Sequence, residues 1–206
     1  MKYIVLDTET AGSLSKPTPY DIGWAVVDEL GNVYKTRSYI ILEVFADDEM
    51  MDTAYYKEKC PRYLADVIHG TRKEVKMESA IRQLYKDMQT YGVSAICAHN
   101  MPFDHRATEN GAQAFTSRKA MFPRYAELID TLALAKEVFG KDADYIDFCQ
   151  SNGFMTAHRT PRPRMTAEIL YRYLTDDLDF VESHTGLEDV LIEKEILVEC
   201  LRRMAE

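Results

Sequence analysis

Four acidic residues and one histidine, spread over almost the whole chain, are of the types that bind metals and activate water. The acids are Asp7 and Glu9 in D-T-E-T, Asp104 in H-N-M-P-F-D, and Asp189 in H-T-G-L-E-D, which also contains His184. Carboxylates are costly to bury without a partner, so a fold that gathers four of them needs cations to neutralise them. Two divalent metals below a histidine acting as a base could cut a phosphodiester bond. The set therefore indicates a nuclease.

Asp7 and Glu9 stand two residues apart directly after the apolar run Ile4-Val5-Leu6. On a strand, this spacing points both side chains to the same face. The end of the apolar run predicts that they lie at the C-terminal edge of the strand, where α/β folds build their sites. The alternative is a strand that ends in a solvated turn.

Asp104 follows a second buried run, and Pro102 before it fits the first turn of a helix. Asp104 would then lie in that turn with its side chain near the strand end. A helix-dipole acid that binds no metal is the alternative.

His184 and Asp189 are five residues apart, which on one helix places them roughly 140° apart around the axis. The useful geometry therefore has His184 on the loop before the helix and Asp189 in the first turns of the helix. A lone histidine is usually an exposed or satisfied polar residue. The five residues together, each at the end of an element, are more specific than any one of them.

The elements that must position these residues indicate an α/β protein with a mixed sheet. Three antiparallel strands open the chain: Tyr3–Asp7, Ile22–Asp28 and, after a hairpin at Glu29–Asn32, Val33–Leu42. A turn-rich stretch is predicted between the first two strands. A helix is predicted over about 74–90, ending at Gly92, then a buried strand over 93–98, a helix after Pro102, a short strand at 128–130, and an amphipathic C-terminal helix.

Composition limits the class of protein. The 206 residues suit one domain, with 46% apolar and 29% charged residues. Four separated cysteines suit reduced thiols, and no apolar run is long enough for a bilayer. The start, Met1-Lys2-Tyr3, lacks a signal-peptide core, so we expect a cytoplasmic protein without membrane contact. The net charge of −9 argues against a broad duplex-binding surface, but metals would reverse the local field.

These motifs resemble the DnaQ-like 3′–5′ exonucleases of the DEDDh type, which share the ribonuclease H-like fold. D-T-E-T-A-G, the N-x-x-F-D context of Asp104, and H-x-x-x-x-D carry the resemblance, together with L-I-D-T-L-A-L-A at 128–135. Y-D-I-G-W-A-V-V-D and T-A-E-I-L-Y-R-Y look similar to small phage and prophage members. The resemblance implies one exonuclease domain over 1–206, with a five-stranded mixed sheet (a three-strand antiparallel meander plus parallel strands) flanked by helices.

The resemblance also implies the role of each residue. Asp7 would bridge two Mg²⁺ or Mn²⁺ ions, with Glu9 and Asp189 completing the first site and Asp104 holding the second. His184 would deprotonate the water bound to the first metal, and the second metal would stabilise the leaving 3′-oxygen. A histidine of near-neutral pKa suits that task, and an all-oxygen ligand set suits magnesium.

The residues that would contact substrate follow from the same resemblance. They are Thr8, Thr10, Leu14, Asn100 and Phe103. Relatives place a bulky wedge residue where this chain has Ser13, so either Leu14 takes that role or base discrimination is weaker. The basic stretch Arg159–Arg164 either contacts the substrate backbone or is a solvated loop. Tyr55 and Tyr56 either stack on a single strand or pack a helix on the sheet.

The sequence therefore predicts a metal-dependent 3′–5′ exonuclease that releases nucleoside 5′-monophosphates from single-stranded 3′ ends, with DNA favoured over RNA. Three alternatives stay open. They are an exoribonuclease acting on very short RNA, a non-catalytic nucleic-acid-binding module of the same fold, and a structural metal site. The sequence does not decide whether the chain forms a homodimer or binds a polymerase.

Overall fold

Strands and helices alternate along most of the chain, and the computed structural model describes all residues, 1–206. The strands are β1 (Lys2–Ser13), β2 (Lys16–Asp28), β3 (Val33–Ile41), β4 (Lys73–Val75), β5 (Ala95–Ala98) and β6 (Glu127–Asp130). The helices are α1 (Leu42–Phe45), α2 (Asp48–Met51), α3 (Cys60–Ile68), α4 (Met77–Tyr91), α5 (Met101–Phe115), α6 (Thr131–Phe139), α7 (Ala143–Ser151), α8 (Ala167–Thr175) and α9 (Gly186–Met204).

One mixed sheet of order β4-β3-β2-β1-β5-β6 forms the centre of the molecule. The first three strands pair antiparallel, whereas β5 pairs parallel to β1 and β6 parallel to β5. This confirms the predicted α/β class and the opening meander. The strand number is six rather than five, because Lys73–Val75 forms β4 on the edge of β3. The segment was predicted to begin a helix; three residues are too short to show a strand periodicity.

The β1–β2 hairpin is longer than predicted. β1 continues through Ala11–Ser13, and β2 begins at Lys16, so the turn-rich stretch is paired strand and Asp7 and Glu9 lie inside β1 rather than at its end. Pro17 and Pro19 are tolerated because β2 pairs with β3 only from Asp21 onward, which leaves the proline segment with one neighbour. The register shifts between Glu9 and Thr10, a bulge that bends the strand next to the acids.

Alternation along β1 decides which layer the acids face. Ile4 and Leu6 pack into the core cluster shared with α4 and α5, whereas Tyr3 and Val5 pack on the opposite face with Val190 and Leu197 of α9. Asp7 and Glu9 continue the second set. The sheet therefore points both acids toward the layer that carries Asp189.

A separate cluster joins α6, α7, α8 and α9 beside the sheet. All four cysteines are free thiols, and Cys97, Cys149 and Cys200 are buried, as their spacing predicted. No helix combines the length and the apolar character needed to cross a membrane.

Candidate active site

The predicted acids and the histidine meet at one cavity of about 1410 Å³, which Asp7, Glu9, Asp104, His184 and Asp189 all line. One potential ligand atom from each of Glu9, His184 and Asp189 lies within 4.8 Å of the others. The acids reach the cavity from both layers, because β1 and α9 supply three of them and α5 supplies Asp104. Residues that are far apart in the sequence, near its start, its middle and its end, therefore line the same cavity.

Asp7 has an oxygen that no protein group satisfies. Its Oδ2 atom is sealed from solvent and makes no hydrogen bond. Burial raises the pKa of Asp7 well above its ordinary value, and the nearby carboxylates of Glu193 and Asp104 raise it further. Buried polar atoms are nearly always paired, so the orphaned Asp7 oxygen is available to bind a cation.

Asp104 lies in the first turn of α5 and is buried, as predicted. Its Oδ1 accepts hydrogen bonds from the backbone N–H of Thr8, at 3.1 Å, and from Thr8 Oγ1, at 2.8 Å. Burial raises the pKa of Asp104 to about 7, although the Thr8 hydrogen bonds oppose the shift. Asp130 positions the start of α5 by accepting from the backbone N–H groups of Asn100 and Met101. Asp104 is therefore fixed to the strand that carries Asp7.

His184 lies on the loop before α9, and Asp189 lies in the first turn of that helix. The loop turns sharply because His184 has a left-handed φ of 53°, and Asp189 Oδ2 accepts from the backbone N–H of Thr185 at 2.9 Å. The imidazole stacks on Tyr56, with ring centroids 4.3 Å apart and planes 9° apart. Burial lowers the pKa of His184, and Lys59 lowers it further, so the ring is neutral at pH 7. A neutral imidazole can accept a proton.

Two glycines allow α9 to approach the sheet beside Asp7. Gly23 pairs with Asp7 across the β1–β2 ladder, and a Cβ at Gly23 would lie 2.3 Å from the backbone of Gly186 and Leu187. Asp21, two residues earlier, accepts from the N–H of Gly186 at 2.9 Å and pairs with the buried Arg72 at 2.7 Å. This contact holds the first turn of α9 over β2.

We expect Gly23→Ala to push this turn away from the strand. The clash is with backbone, which cannot move aside alone, so the free energy of unfolding should fall by about 1–3 kcal/mol and Mn²⁺ affinity should fall with it. Urea unfolding and calorimetric Mn²⁺ titration measure the two effects. Gly70→Ala is the control for Mn²⁺ affinity: its φ of +74° strains an alanine and lowers stability, but nothing lies within 4 Å of its Cβ, so Mn²⁺ affinity should equal that of wild type. Equal Mn²⁺ affinity in both variants would count against the positioning role of Gly23.

Two further acids in the cavity were missed by the sequence reasoning. Glu193 is buried, its Oε2 accepts from the backbone N–H of His99 at 3.2 Å, and its pKa is raised well above the ordinary value by burial and by Asp104. The signal was present, since Glu193 follows Asp189 by four residues and so shares its helix face. Glu182 lies 3.9 Å from His184 Nδ1. Its position in an irregular loop gave no periodic signal.

The residues present fit a divalent-metal site. Asp7, Glu9, Asp104, Asp189 and Glu193 have no ion pair with lysine or arginine, although Asp21 and Glu188 nearby both pair with Arg72. Burial raises the pKa of Glu9 to about 9, with a further contribution from repulsion by Asp189. Burial also raises the pKa of Asp189 to about 8, with a further contribution from Glu182. Hard divalent cations prefer such oxygen ligands and would relieve the repulsion.

The residues predicted to contact substrate divide into two groups. Thr8, Asn100 and Phe103 line the cavity. Thr10 and Leu14 do not, and Leu14 is 82% exposed at the tip of the β1–β2 hairpin. Ser13, at the wedge position, has its Oγ atom 2.9 Å from that of Ser15. A substrate role for Leu14 stays a prediction. It would require the bound nucleic acid to extend as far as the tip of the β1–β2 hairpin.

Solved structures of nucleases share this fold. Exonuclease X in complex with 5′-overhanging duplex DNA is 15% identical, with a TM-score of 0.53 over 99% of this chain and 93% of that one. E. coli exonuclease I in complex with a dT13 oligonucleotide is 14% identical, with a TM-score of 0.62 over 99% and 42%. Cell-death related nuclease 4 (CRN-4) is 11% identical, with a TM-score of 0.55 over 98% and 64%.

A zinc-bound form of the E. coli exonuclease I complex with single-stranded DNA also matches, at 15% identity and a TM-score of 0.57 over 98% of this chain and 41% of that one. No protein-family model matches the chain, and no curated protein matches it. The likeness at this level of identity shows the fold, which is ribonuclease H-like as predicted. The chain spans nearly all of exonuclease X but less than half of exonuclease I.

Proposed function

We propose that the protein is a metal-dependent 3′–5′ exonuclease, contained in one domain over 1–206, that releases nucleoside 5′-monophosphates from single-stranded ends. The observation that carries the proposal is the set of buried carboxylates without cationic partners, beside a neutral histidine, in one open cavity. Thr8, Thr185 and His99 each donate to one of the other acids, but the Oδ2 atom of Asp7 has no partner, which a purely structural cluster would have supplied. The matching solved structures support a nuclease, since each is named as one.

Asp7, Glu9, Asp104 and Asp189 would hold two Mg²⁺ or Mn²⁺ ions. When bound, such ions neutralise the phosphate, lower the pKa of water and stabilise the departing oxygen. His184 accepts the proton of the attacking water. Its Nδ1 atom lies 3.9 Å from a carboxylate oxygen of Glu182, and we assign the proton-accepting role to Nε2. The hydrogen bonds from Thr8 favour the charged form of Asp104 and partly offset the effect of its burial, and Tyr56 stacks on the imidazole of His184.

Single-stranded DNA is the proposed substrate. The terminal nucleotide must leave the base stack to reach the buried carboxylates that line the cavity, which an unpaired end does at least cost. Asn100 and Phe103 lie on the cavity wall where this nucleotide would bind. Structures of exonuclease I and exonuclease X with DNA support a DNA substrate, and the phage-type resemblance points in the same direction.

The activity is tested with a 5′-labelled single-stranded oligonucleotide in Mg²⁺. The wild-type protein should give a ladder of progressively shorter products, EDTA should stop the reaction, and Asp7→Ala should reduce the rate by at least about 1000-fold, because the loss of a bridging ligand disrupts both metals. A labelled RNA of equal length provides the sugar comparison. If the wild type gives no ladder, or if Asp7→Ala gives the same ladder as the wild type, the proposed enzymatic activity is excluded. A non-catalytic nucleic-acid-binding module is then favoured.

A further inference from the structure

A short hairpin between α7 and α8 carries three arginines toward the cavity; we name residues 154–165 the arginine arm. Met155 and Pro163 form an antiparallel bridge, and the backbone N–H of Thr156 donates to the carbonyl of Arg162 at 2.8 Å. The backbone N–H of Arg164 donates to the carbonyl of Phe154 at 3.0 Å. The arm is therefore a built hairpin and not an irregular surface loop.

The base of the arm is fastened to the catalytic region. Tyr145 Oη donates to the carbonyl of Arg164, and His99 Nε2 lies 2.6 Å from the carbonyl oxygen of Met165. The backbone N–H of His99 also donates to Glu193, inside the carboxylate cluster. His99 thus contacts both the base of the arginine arm and the carboxylate cluster, and it fixes the distance between them.

The arginine side chains of the arm form no ion pair within the chain. Arg159, Arg162 and Arg164 are exposed, and none forms an ion pair, although the chain has 34 acidic residues against 25 lysines and arginines. By contrast, Arg72 binds three carboxylates and Arg203 binds two. Arg82 and Arg124 are also exposed and unpaired, but the three arginines of the arm are grouped on one hairpin that lines the cavity, and this grouping favours an anionic partner there. Their planar donor sets match phosphate oxygens.

The lining of the cavity combines both signs of charge. It includes the carboxylates, the three arginines of the arm, Lys136 and Lys141. The cavity volume of about 1410 Å³ exceeds the ~300–1,000 Å³ of a small-molecule site, so the cavity accommodates more than one terminal nucleotide.

We propose that the arginine arm binds the phosphodiester backbone of the single strand next to the terminal nucleotide, an inference that rests on the proposed function. Arg159 and Arg162 contact backbone phosphates, and Arg164 lies nearest the fastened base of the arm. Contacts to phosphate position a strand without reading its bases. The arm therefore determines affinity and register, and the carboxylates determine chemistry.

The test compares the double variant Arg159→Ala/Arg162→Ala with Arg82→Ala/Lys86→Ala, which removes two exposed charges from α4 outside the cavity. Binding is measured by fluorescence anisotropy of a labelled oligothymidylate of about 12 nucleotides in Ca²⁺, over a series of KCl concentrations. The arm variant should bind at least about tenfold more weakly, and the slope of log affinity against log salt should fall by roughly 0.7 for each lost phosphate contact. The α4 variant should match the wild type.

Hydrolysis of a minimal substrate separates the arm from the chemistry. The p-nitrophenyl ester of thymidine 5′-monophosphate has no adjacent phosphodiester, so the arm variant should hydrolyse it within about twofold of wild type. If the arm and α4 variants have equal oligonucleotide affinity and equal salt slopes, the proposal for the arginine arm is overturned, even when the wild type is a fully active nuclease. If the wild type hydrolyses neither substrate, the proposed function is overturned. Even then, salt-sensitive oligonucleotide binding that is lost only in the arm variant would support a phosphate-binding role for the arginine arm.

Discussion

Removal of the His184 imidazole should lower kcat by at least about 100-fold, the range that general-base catalysis contributes. The ring is held neutral by partial burial and by Lys59, and it lies beside two of the proposed metal ligands. Without it, the attacking water loses its proton to bulk solvent. KM and Mn²⁺ affinity should stay within about threefold, because a base that binds no metal contributes little to either.

The choice of variant matters because His184 adopts a left-handed backbone conformation, with φ 53°. Asparagine tolerates this conformation better than alanine does, so His184→Asn removes the basic nitrogen with little backbone strain. His69→Ala, at an exposed histidine after α3, is the matched control and should have wild-type kcat.

The alternative for His184 is a direct metal ligand, which its distance to Glu9 and Asp189 also permits. In that case His184→Asn would lower Mn²⁺ affinity strongly, and excess metal would restore activity. A variant with normal Mn²⁺ affinity and unchanged kcat would show that the histidine has no catalytic role. Titration calorimetry and single-turnover cleavage distinguish these outcomes.

Neutralisation of one buried acid should stabilise the metal-free protein while it abolishes activity. In the metal-free protein Asp7 must either bury a charge or take up a proton, because burial and the carboxylates of Glu193 and Asp104 raise its pKa; Asp7→Asn removes that cost. Replacement of a costly buried charge by a neutral isostere stabilises by about 1–4 kcal/mol in comparable cases. We therefore expect a higher Tm for Asp7→Asn in EDTA, and activity reduced by at least about 1000-fold in Mg²⁺.

The stabilisation should depend on pH with a definite sign. A carboxyl whose pKa is raised on folding binds its proton more tightly in the folded state than in the unfolded state. Burial and the neighbouring carboxylates raise the pKa of Asp7, so the free energy of unfolding of the metal-free wild type falls as the pH rises above the ordinary pKa of Asp7, and Asp7→Asn does not suffer that loss. The advantage of Asp7→Asn in EDTA should therefore be larger at pH 8 than at pH 5.

Metal addition should reverse the order of stability. Mn²⁺ binds the folded wild type and raises its Tm by mass action, but it should raise that of Asp7→Asn far less. Asp147→Asn, at an exposed acid on α7, is the control and should respond to Mn²⁺ as the wild type does. A Tm for Asp7→Asn below that of wild type in EDTA would mean that the carboxylates are satisfied without a cation.

Local rules predicted most of the positions that matter for the site. The two-residue spacing of Asp7 and Glu9 placed them on one strand face, and the five-residue spacing of His184 and Asp189 required a loop before α9; both features are present. Pro102 correctly indicated the first turn that carries Asp104. Each prediction used a period or a proline constraint that acts within a few residues.

Features that depend on long-range contacts could not be predicted. The prolines of β2 suggested a turn, whereas pairing with β1 keeps them in a strand with a free edge. The stacking of Tyr56 on His184 joins residues 128 positions apart, and the contact of Gly23 with Gly186 joins residues 163 apart. Such pairs leave no periodic signal in the sequence. Glu193 is different, because its four-residue spacing from Asp189 is a local signal that places both acids on one helix face.

The polarity and products of cleavage test the central proposal most directly. Single-stranded DNA labelled at its 5′ end or at its 3′ end is incubated with wild type and with Asp104→Ala in Mg²⁺. If the wild type is a 3′–5′ exonuclease, the 5′-labelled DNA yields a ladder of shortened products. The 3′-labelled DNA yields only labelled nucleoside 5′-monophosphate at the earliest times. The Asp104→Ala variant should be inactive on both. A ladder from the 3′ label, internal fragments, or full activity of Asp104→Ala would contradict the account.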